Sequence, residues 1–147
     1  MDREELSRRL MSTFLGELEE HVRSLNHDLL EIEKGAGERR AGLLKTLFRT
    51  AHSLKGAARS VGVHPIEALC HRIEGDLAAA GEALPPALVQ GLFAAADAIG
   101  GAGRQLREGK PIDAPALAAV QARIESLSAG AAPAVALPTT AAPEPPS

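Results

Sequence analysis

Apolar residues recur at spacings of three and four along the first part of the chain, from about residue 2 to residue 34. This spacing places them along one side of an amphipathic helix. The apolar positions are Leu6, Leu10, Phe14, Leu18, Val22, Leu25, Leu29 and Ile32. The pattern stops at Gly35 and Gly37, and glycine commonly ends a helix. The sequence therefore predicts a long first helix that ends at this glycine pair.

The same periodicity predicts four more helices, which are separated by glycine and proline residues. The second runs from about residue 38 to 61, the third from about 65 to 80, the fourth from near 85, and the fifth from about 114 to 127. Gly100, Gly101 and Gly103 fall inside the fourth helix, where glycine weakens helical structure. We therefore expect a kink or an early end at these glycines.

Composition favours the same fold class. Aromatic residues make up only 2% of the chain, so the core must consist of aliphatic side chains and alanine, as is typical of packed helices. No run of alternating β-branched residues predicts a strand. We predict an all-α fold, with an antiparallel four-helix bundle and a fifth C-terminal helix in residues 1–128. Residues 129–147 are rich in Ala and Pro and predict a flexible linker.

Charge and cysteine content exclude several functional classes. The net charge of -3 and the absence of Tyr and Trp argue against a nucleic-acid partner. The single cysteine cannot form an internal disulfide, which is compatible with a reducing compartment. The N-terminus has no apolar signal region, and no segment approaches the roughly 20 apolar residues of a membrane span. We expect a cytoplasmic protein with no membrane partner.

The polar face of the second helix carries most of the functional information. Seven residues share the side of this helix opposite the core stripe: Lys45, Phe48, Arg49, His52, Lys55, Gly56 and Arg59. His52 is at the centre, and four of the others are cations within two turns of it. Such a cluster is suited to receiving an anion near the imidazole. Gly56 costs the helix roughly 1 kcal/mol but lets another surface approach His52 closely.

The third helix has a matching polar face. Glu67, His71 and Glu74 lie at positions i, i+4 and i+7, so they share one side of that helix. If the second and third helices are antiparallel neighbours, these side chains can lie beside His52. A carboxylate there could accept a hydrogen bond from one ring nitrogen and leave the other as an exposed nucleophile.

These residues resemble a known family. The segments AHSLKGAARSVGV and LCHRIE are similar to the histidine-containing phosphotransfer (HPt) domain, and especially to the N-terminal domain of CheA-type chemotaxis histidine kinases. The family pattern is a His, a Lys three residues later, a Gly four residues later, and a more distant His-x-x-Glu. The matching residues here are His52, Lys55, Gly56, His71 and Glu74. CheA-type sequences usually continue with a glycine-rich stretch, whereas this chain has Ala57, Ala58 and Arg59.

The resemblance implies a role for each matching residue. His52 would accept a phosphoryl group from ATP through a separate histidine kinase catalytic domain, and would pass it to an Asp of a response regulator receiver domain. Lys55 would offset the phosphate charge, Glu74 would hydrogen-bond His52, and His71 would support that contact. Partner docking would fall to the rest of the polar face: Lys45, Phe48, Arg49, Gly56 and Arg59.

The same resemblance implies that this chain binds no cofactor itself. ATP would be used by the separate kinase domain, and we find no phosphate-binding loop or kinase glycine motif in the sequence. The chain would then be the phospho-accepting part of a histidine protein kinase, without a complete catalytic site of its own.

Three alternatives remain open at this point. The chain could be a stand-alone or hybrid-kinase phosphorelay module, or a scaffold bundle that binds a partner helix. It could also hold a metal ion on His52, His71 and Glu74, although the four nearby cations would repel a divalent metal. The histidines outside the pattern, His21, His27 and His64, are interpreted as structural or surface residues, and Cys70 as a small core residue.

Overall fold

The structure, a computed structural model, describes residues 2–131 of the 147-residue chain. These residues form five α-helices and no strand. The helices are α1 (Arg3–Glu33), α2 (Arg40–Ser60), α3 (His64–Ala80), α4 (Pro86–Arg107) and α5 (Ala114–Ala131). Single 3-10 turns, Gly37–Arg39 and Gly81–Ala83, lie in two of the connections. The prediction of an all-α fold is confirmed.

Local sequence explains where the helices begin and end. The Asp2 carboxylate accepts a hydrogen bond of 2.8 Å from the backbone N–H of Glu5 and so caps α1. After α1 the chain turns at Gly35, whose φ of 89° is a left-handed conformation that favours glycine. Gly62, with a φ of 75°, allows the equally tight turn between α2 and α3. Pro65 lies in the first turn of α3, where its missing N–H costs nothing.

The helices pack in a closed ring around one core. Helix α1 contacts α2 and α4, α2 contacts α3, and α5 contacts both α3 and α4. Helices α3 and α4 touch each other far less than each touches α5. The core is almost entirely aliphatic, and its largest fully buried side chains include Leu18, Leu54 and Ile99. The ring therefore places α5 between α3 and α4 and leaves one side of α2 and α3 facing outward.

Hydrogen bonds between helices show the direction in which neighbours run. Gln90, near the start of α4, donates to Glu33 at the end of α1, whereas Arg107, at the end of α4, donates to Glu19. Helices α1 and α4 therefore run in opposite directions. The contacts of α2 with α3, described below, follow the same reversed order.

The predicted apolar stripe of α1 is only partly buried. Leu6 and Leu10 were expected in the core, but they are 47% and 51% exposed. The continuous core begins at Phe14. Helix α1 has 31 residues, whereas the neighbouring α2 and α4 have 21 and 22, so its first turns extend past the helices that could cover them.

Helix α4 corrects a second expectation, because it continues without interruption through Gly100, Gly101 and Gly103. A Cβ atom at Gly103 would lie 2.7 Å from Leu18 Cδ2, so the absence of a side chain lets α1 and α4 approach closely. Gly91 has a similar role, since a Cβ atom there would lie 3.0 Å from Leu127 Cδ1 of α5. Packing of the neighbouring helices thus overrides the weak helix propensity of glycine.

Helix α5 is longer than the sequence indicated. It continues to Ala131, whereas the predicted helix ended at Leu127 and the predicted linker began at residue 129. Ala129 and Ala131 favour this extension, whereas Gly130 between them does not. The rest of the predicted linker, residues 132–147, lies outside the described residues. In residues 2–131, no helix combines the length and the apolar character needed to cross a membrane.

Two alanine substitutions test the close packing of α1 against α4. Gly101→Ala and Gly103→Ala bring the same gain in helix propensity, but only a Cβ atom at Gly103 overlaps the buried Leu18 side chain. We expect Gly103→Ala to be less stable than Gly101→Ala by about 2 kcal/mol, the usual cost of overpacking a core. Urea unfolding of both variants measures this difference. Equal stabilities would show that Leu18 moves aside without cost.

Candidate functional site

His52 lies on the outward side of α2. Its neighbours Ala51 and Leu54 are fully buried, whereas the His52 side chain is 64% exposed. The spacing of the apolar residues that bury α2 therefore forces His52 toward the surface. The sequence predicted this position correctly.

Glu74 of α3 joins His52 to Lys55. Its Oε2 atom is hydrogen-bonded to His52 Nδ1, and its Oε1 atom accepts a hydrogen bond of 2.5 Å from Lys55 Nζ. The Glu74 side chain is only 11% exposed, and that of Lys55 only 15%. One partly enclosed carboxylate thus holds both the exposed imidazole and a neighbouring ammonium group.

The charge state of Glu74 determines the tautomer of His52. Burial raises the pKa of Glu74, but hydrogen bonds from Lys55 and then from His52 outweigh burial and bring the pKa below its usual 4.5. The carboxylate is therefore ionised at neutral pH and can only accept hydrogen bonds. A neutral His52 must donate from Nδ1, which leaves the lone pair of Nε2 available as a nucleophile.

Cys70 lies one helical turn before Glu74 and is fully buried. Burial, followed by the negative charge of Glu74, raises the pKa of the Cys70 thiol to about 12. The thiol stays protonated at neutral pH and serves as a small apolar side chain beneath the site, in agreement with the interpretation of the sequence.

His71 occupies the edge of this arrangement. Its Nδ1 atom lies 3.9 Å from Glu74 Oε1, which is too far for a hydrogen bond, and its side chain is 75% exposed. The Oε1 atom that it faces is already bonded to Lys55. Support of the network by His71 stays a prediction, and at this distance it would be electrostatic.

The predicted docking residues surround His52 on the same outward face. The ring of Phe48 is parallel to that of His52, with 6.4 Å between the ring centroids, and is half-buried against the core. Gly56 is exposed, and a Cβ atom there would meet no other atom within 4 Å. The glycine is therefore not required by packing within the described residues, which fits a role in close approach by another surface.

The four cations of this face fall into two groups. Lys55 is bonded to Glu74, and Arg59 Nε donates a hydrogen bond of 2.7 Å to Glu67 Oε2. Lys45 and Arg49 are exposed and form no ion pair with any residue between 2 and 131.

The contact of Glu67 corrects one expectation from the sequence. Glu67 was expected beside His52, but it is bonded to Arg59 instead. Helices α2 and α3 run in opposite directions, so residues late in α2 meet residues early in α3. The pairing of His52 with Glu74 fixes a register that also places Arg59 opposite Glu67. An antiparallel register that pairs His52 with Glu74 would have identified the pair of Arg59 and Glu67 from the sequence.

The metal alternative gains no geometric support. In the described part of the chain, no three His, Cys, Asp or Glu side chains are grouped so that they could hold a metal ion. His52 and His71 each approach Glu74 through Nδ1, but Lys55 occupies one oxygen of that carboxylate.

An all-α domain with an exposed histidine that a buried, ionised carboxylate orients has the features of a histidine phosphotransfer protein. The family model for the Hpt domain matches residues 9–101, which is well over half of the chain. The chain therefore belongs to the Hpt domain family. This membership supports a phosphotransfer role in two-component signalling.

Curated relatives point in the same direction. The chain is 42% identical over 64 residues to the chemotaxis protein CheA of Halobacterium salinarum, a match that covers 44% of this chain and 9% of the relative. It is 32% identical over 68 residues to CheA of Listeria monocytogenes, a match that covers 46% of this chain and 11% of the relative. It is 35% identical over 65 residues to CheA of Treponema pallidum, a match that covers 44% of this chain and 8% of the relative. The matches thus span only about a tenth of these relatives and concern their Hpt region.

The lowered pKa of Glu74 predicts a pH-dependent contribution to stability. Because the pKa is lower in the fold than its usual 4.5, ionised Glu74 stabilises the protein above that pH. This contribution is lost as the pH falls through the lowered pKa. We expect Glu74→Gln to lower the free energy of unfolding by about 1–2 kcal/mol at pH 7, and by less below pH 4.5.

Urea unfolding of the wild type and Glu74→Gln at pH 7 and pH 3 measures the change in this difference. Glu20→Gln, on the exposed side of α1, is the control for loss of a surface carboxylate. A difference between wild type and Glu74→Gln that stays the same at both pH values would contradict the lowered pKa of Glu74.

Proposed function

We propose that His52 carries a phosphoryl group on Nε2. The observation that carries this proposal is the hydrogen bond between His52 Nδ1 and the buried Glu74 carboxylate. It fixes the imidazole with Nδ1 protonated and leaves Nε2 on an exposed face of α2. An exposed nitrogen lone pair held in one tautomer is what a phosphoryl acceptor needs.

The donor in this proposal is ATP bound to a separate histidine kinase catalytic domain, in the same or another chain. The Nε2 lone pair attacks the γ-phosphorus, the bond from that phosphorus to the ADP oxygen breaks, and ADP leaves. The ring retains its Nδ1 proton, and the imidazolium charge that develops is stabilised by the Glu74 carboxylate. No cofactor is bound by this chain itself.

The acceptor is an Asp of a response regulator receiver domain. A carboxylate oxygen attacks the phosphorus, the bond from Nε2 to phosphorus breaks, and the electron pair returns to Nε2. Glu74 holds the ring in the same orientation before and after transfer, so the site needs no rearrangement between turnovers. Lys55, bonded to the same carboxylate one turn along α2, places a positive charge beside the phosphoryl group.

The relatives favour a chemotaxis setting over an unrelated phosphorelay. All of those described above are CheA proteins, so we propose that this chain is the phospho-accepting part of a CheA-type kinase in the cytoplasm. Partners would dock on the face formed by Lys45, Phe48, Arg49, Gly56 and Arg59. We propose that α1 to α4 run antiparallel around the core and that α5 completes the core between α3 and α4; the reversed contacts of α1 with α4 and of α2 with α3 support this arrangement.

Replacement of the proposed phosphorylation site gives the first test of function. His52→Gln should abolish phosphoryl labelling by ATP with a CheA-type kinase core, and by the small donor phosphoramidate, while circular dichroism stays unchanged. His27→Gln, which removes another exposed histidine, is the matched control and should be labelled like the wild type. The label should be acid-labile and base-stable, as expected of a phosphorus–nitrogen bond. Labelling retained in His52→Gln would overturn the assignment.

A larger side chain at Gly56 tests whether partners approach closely at that point. We expect Gly56→Leu to accept phosphoryl groups from phosphoramidate normally, because a small donor does not need to pack against the surface of α2 at position 56. Transfer to a receiver should fall about tenfold or more, since overpacking at an interface costs about 1–3 kcal/mol. Gly16→Leu is the control, because Gly16 is also an exposed glycine within a helix and has open space around it. Normal transfer by Gly56→Leu would remove Gly56 from the docking face.

A further inference from the structure

Arg59 and Glu67 form a second ordered charge pair at the end of the outward face nearest the α2–α3 turn. Arg59 Nε donates a hydrogen bond of 2.7 Å to Glu67 Oε2, and the other oxygen of Glu67 lies 3.3 Å from His64 Nδ1. The Glu67 side chain is 20% exposed, whereas that of Arg59 is 68% exposed. A largely covered carboxylate thus holds an arginine that remains open to solvent.

This pair is poorly explained by folding. An ion pair in which one side chain is largely exposed contributes little to stability, and neither Arg59 nor Glu67 belongs to the aliphatic core. The contact uses only the Nε edge of the guanidinium group. No hydrogen bond within residues 2–131 uses its two terminal nitrogens, so both are available to a carboxylate of another molecule.

The position of Arg59 relates it to the phosphoryl group. Arg59 follows His52 by seven residues on the same side of α2, a separation of about 10 Å along the helix axis. Gly56 lies between them and presents no side chain. Arg59 is therefore too far along the helix to share the phosphoryl group with Lys55, but it is well placed to meet the protein surface that docks over His52.

We propose that Arg59, positioned by Glu67, determines which receiver domains accept the phosphoryl group. It would bind one acidic side chain on the receiver, beside the acceptor Asp, in a two-point contact through its terminal nitrogens. Glu67 fixes the arginine beforehand, so less side-chain freedom is lost when the receiver docks. Lys45 and Arg49 have no such carboxylate within the described residues and supply charge without a fixed geometry. This inference rests on the proposed function of His52.

Transfer kinetics with a small donor test the proposal without the kinase. The full chain is labelled with phosphoramidate and mixed with a panel of isolated chemotaxis receiver domains, and the transfer rate is followed against receiver concentration. For receivers that the wild type prefers, we expect Arg59→Ala to raise the half-saturating concentration about tenfold, with the maximal rate within about twofold. Glu67→Gln should give a smaller rise of about threefold, because Arg59 remains but is less ordered. Arg59→Lys should rescue only in part, since lysine lacks the planar pair of donors.

Arg107→Ala is the matched control. Arg107 is another exposed arginine whose Nε donates to a glutamate, at 2.9 Å from Glu19, but it lies on the contact of α4 with α1. For Arg107→Ala, the receiver concentration that gives half the maximal transfer rate should equal that of the wild type. The proposal is overturned if Arg59→Ala leaves the half-saturating concentration unchanged for every receiver that accepts the group. It is also overturned if the variant slows labelling by a kinase core and not transfer to receivers. A wild-type chain that takes no label at His52 would instead overturn the proposed function, and this proposal with it.

Discussion

The site depends on one carboxylate that stays ionised although it is largely buried. Burial by itself would favour the neutral form of Glu74, which would then donate a hydrogen bond and no longer fix the imidazole. The ammonium group of Lys55 prevents this, because it binds the second oxygen of the same carboxylate. Lys55 therefore has a role in the site that does not depend on the proposed phosphoryl group. The orientation of His52 is a consequence of this pairing between α2 and α3.

The rest of the fold keeps those two helices in register and leaves their outer side uncovered. Helix α5 fills the space between α3 and α4, and α1 supports α2 from the opposite side. The glycine at position 103 lets α4 pack closely against Leu18. Because no element within residues 2–131 covers the face around His52, the proposed nucleophile, Nε2 of His52, stays accessible while its carboxylate partner remains enclosed.

The sequence predicted the elements well because each helix of this domain has its own apolar period. The position of His52 opposite the core and its contact with Glu74 also followed from helical geometry together with the family pattern.

Properties that depend on the neighbouring helix could not be predicted in the same way. The exposure of Leu6 and Leu10 depends on the relative lengths of α1, α2 and α4. The continuity of α4 through its glycines depends on packing against α1, which Gly103 meets at Leu18. The extension of α5 to Ala131 shows that a change in composition is a poor guide to the end of a helix.

The net charge of the outward face depends on the register of α2 and α3, and not on α2 alone. A helical wheel of α2 alone gives four cations around His52 and suggests a strongly basic surface. In the structure, Glu74 and Glu67 of α3 neutralise Lys55 and Arg59, so the excess positive charge comes from Lys45 and Arg49. In the proposed function, a phosphoryl group on His52 adds a charge of about -1.5 to -2 at neutral pH, and Arg49, one turn before His52 on α2, is the nearer of these two cations. A face with four unpaired cations would hold that anion more strongly and oppose its release to an acceptor. In the proposed function, the carboxylates of α3 therefore suit a carrier that must both receive and give up its phosphoryl group.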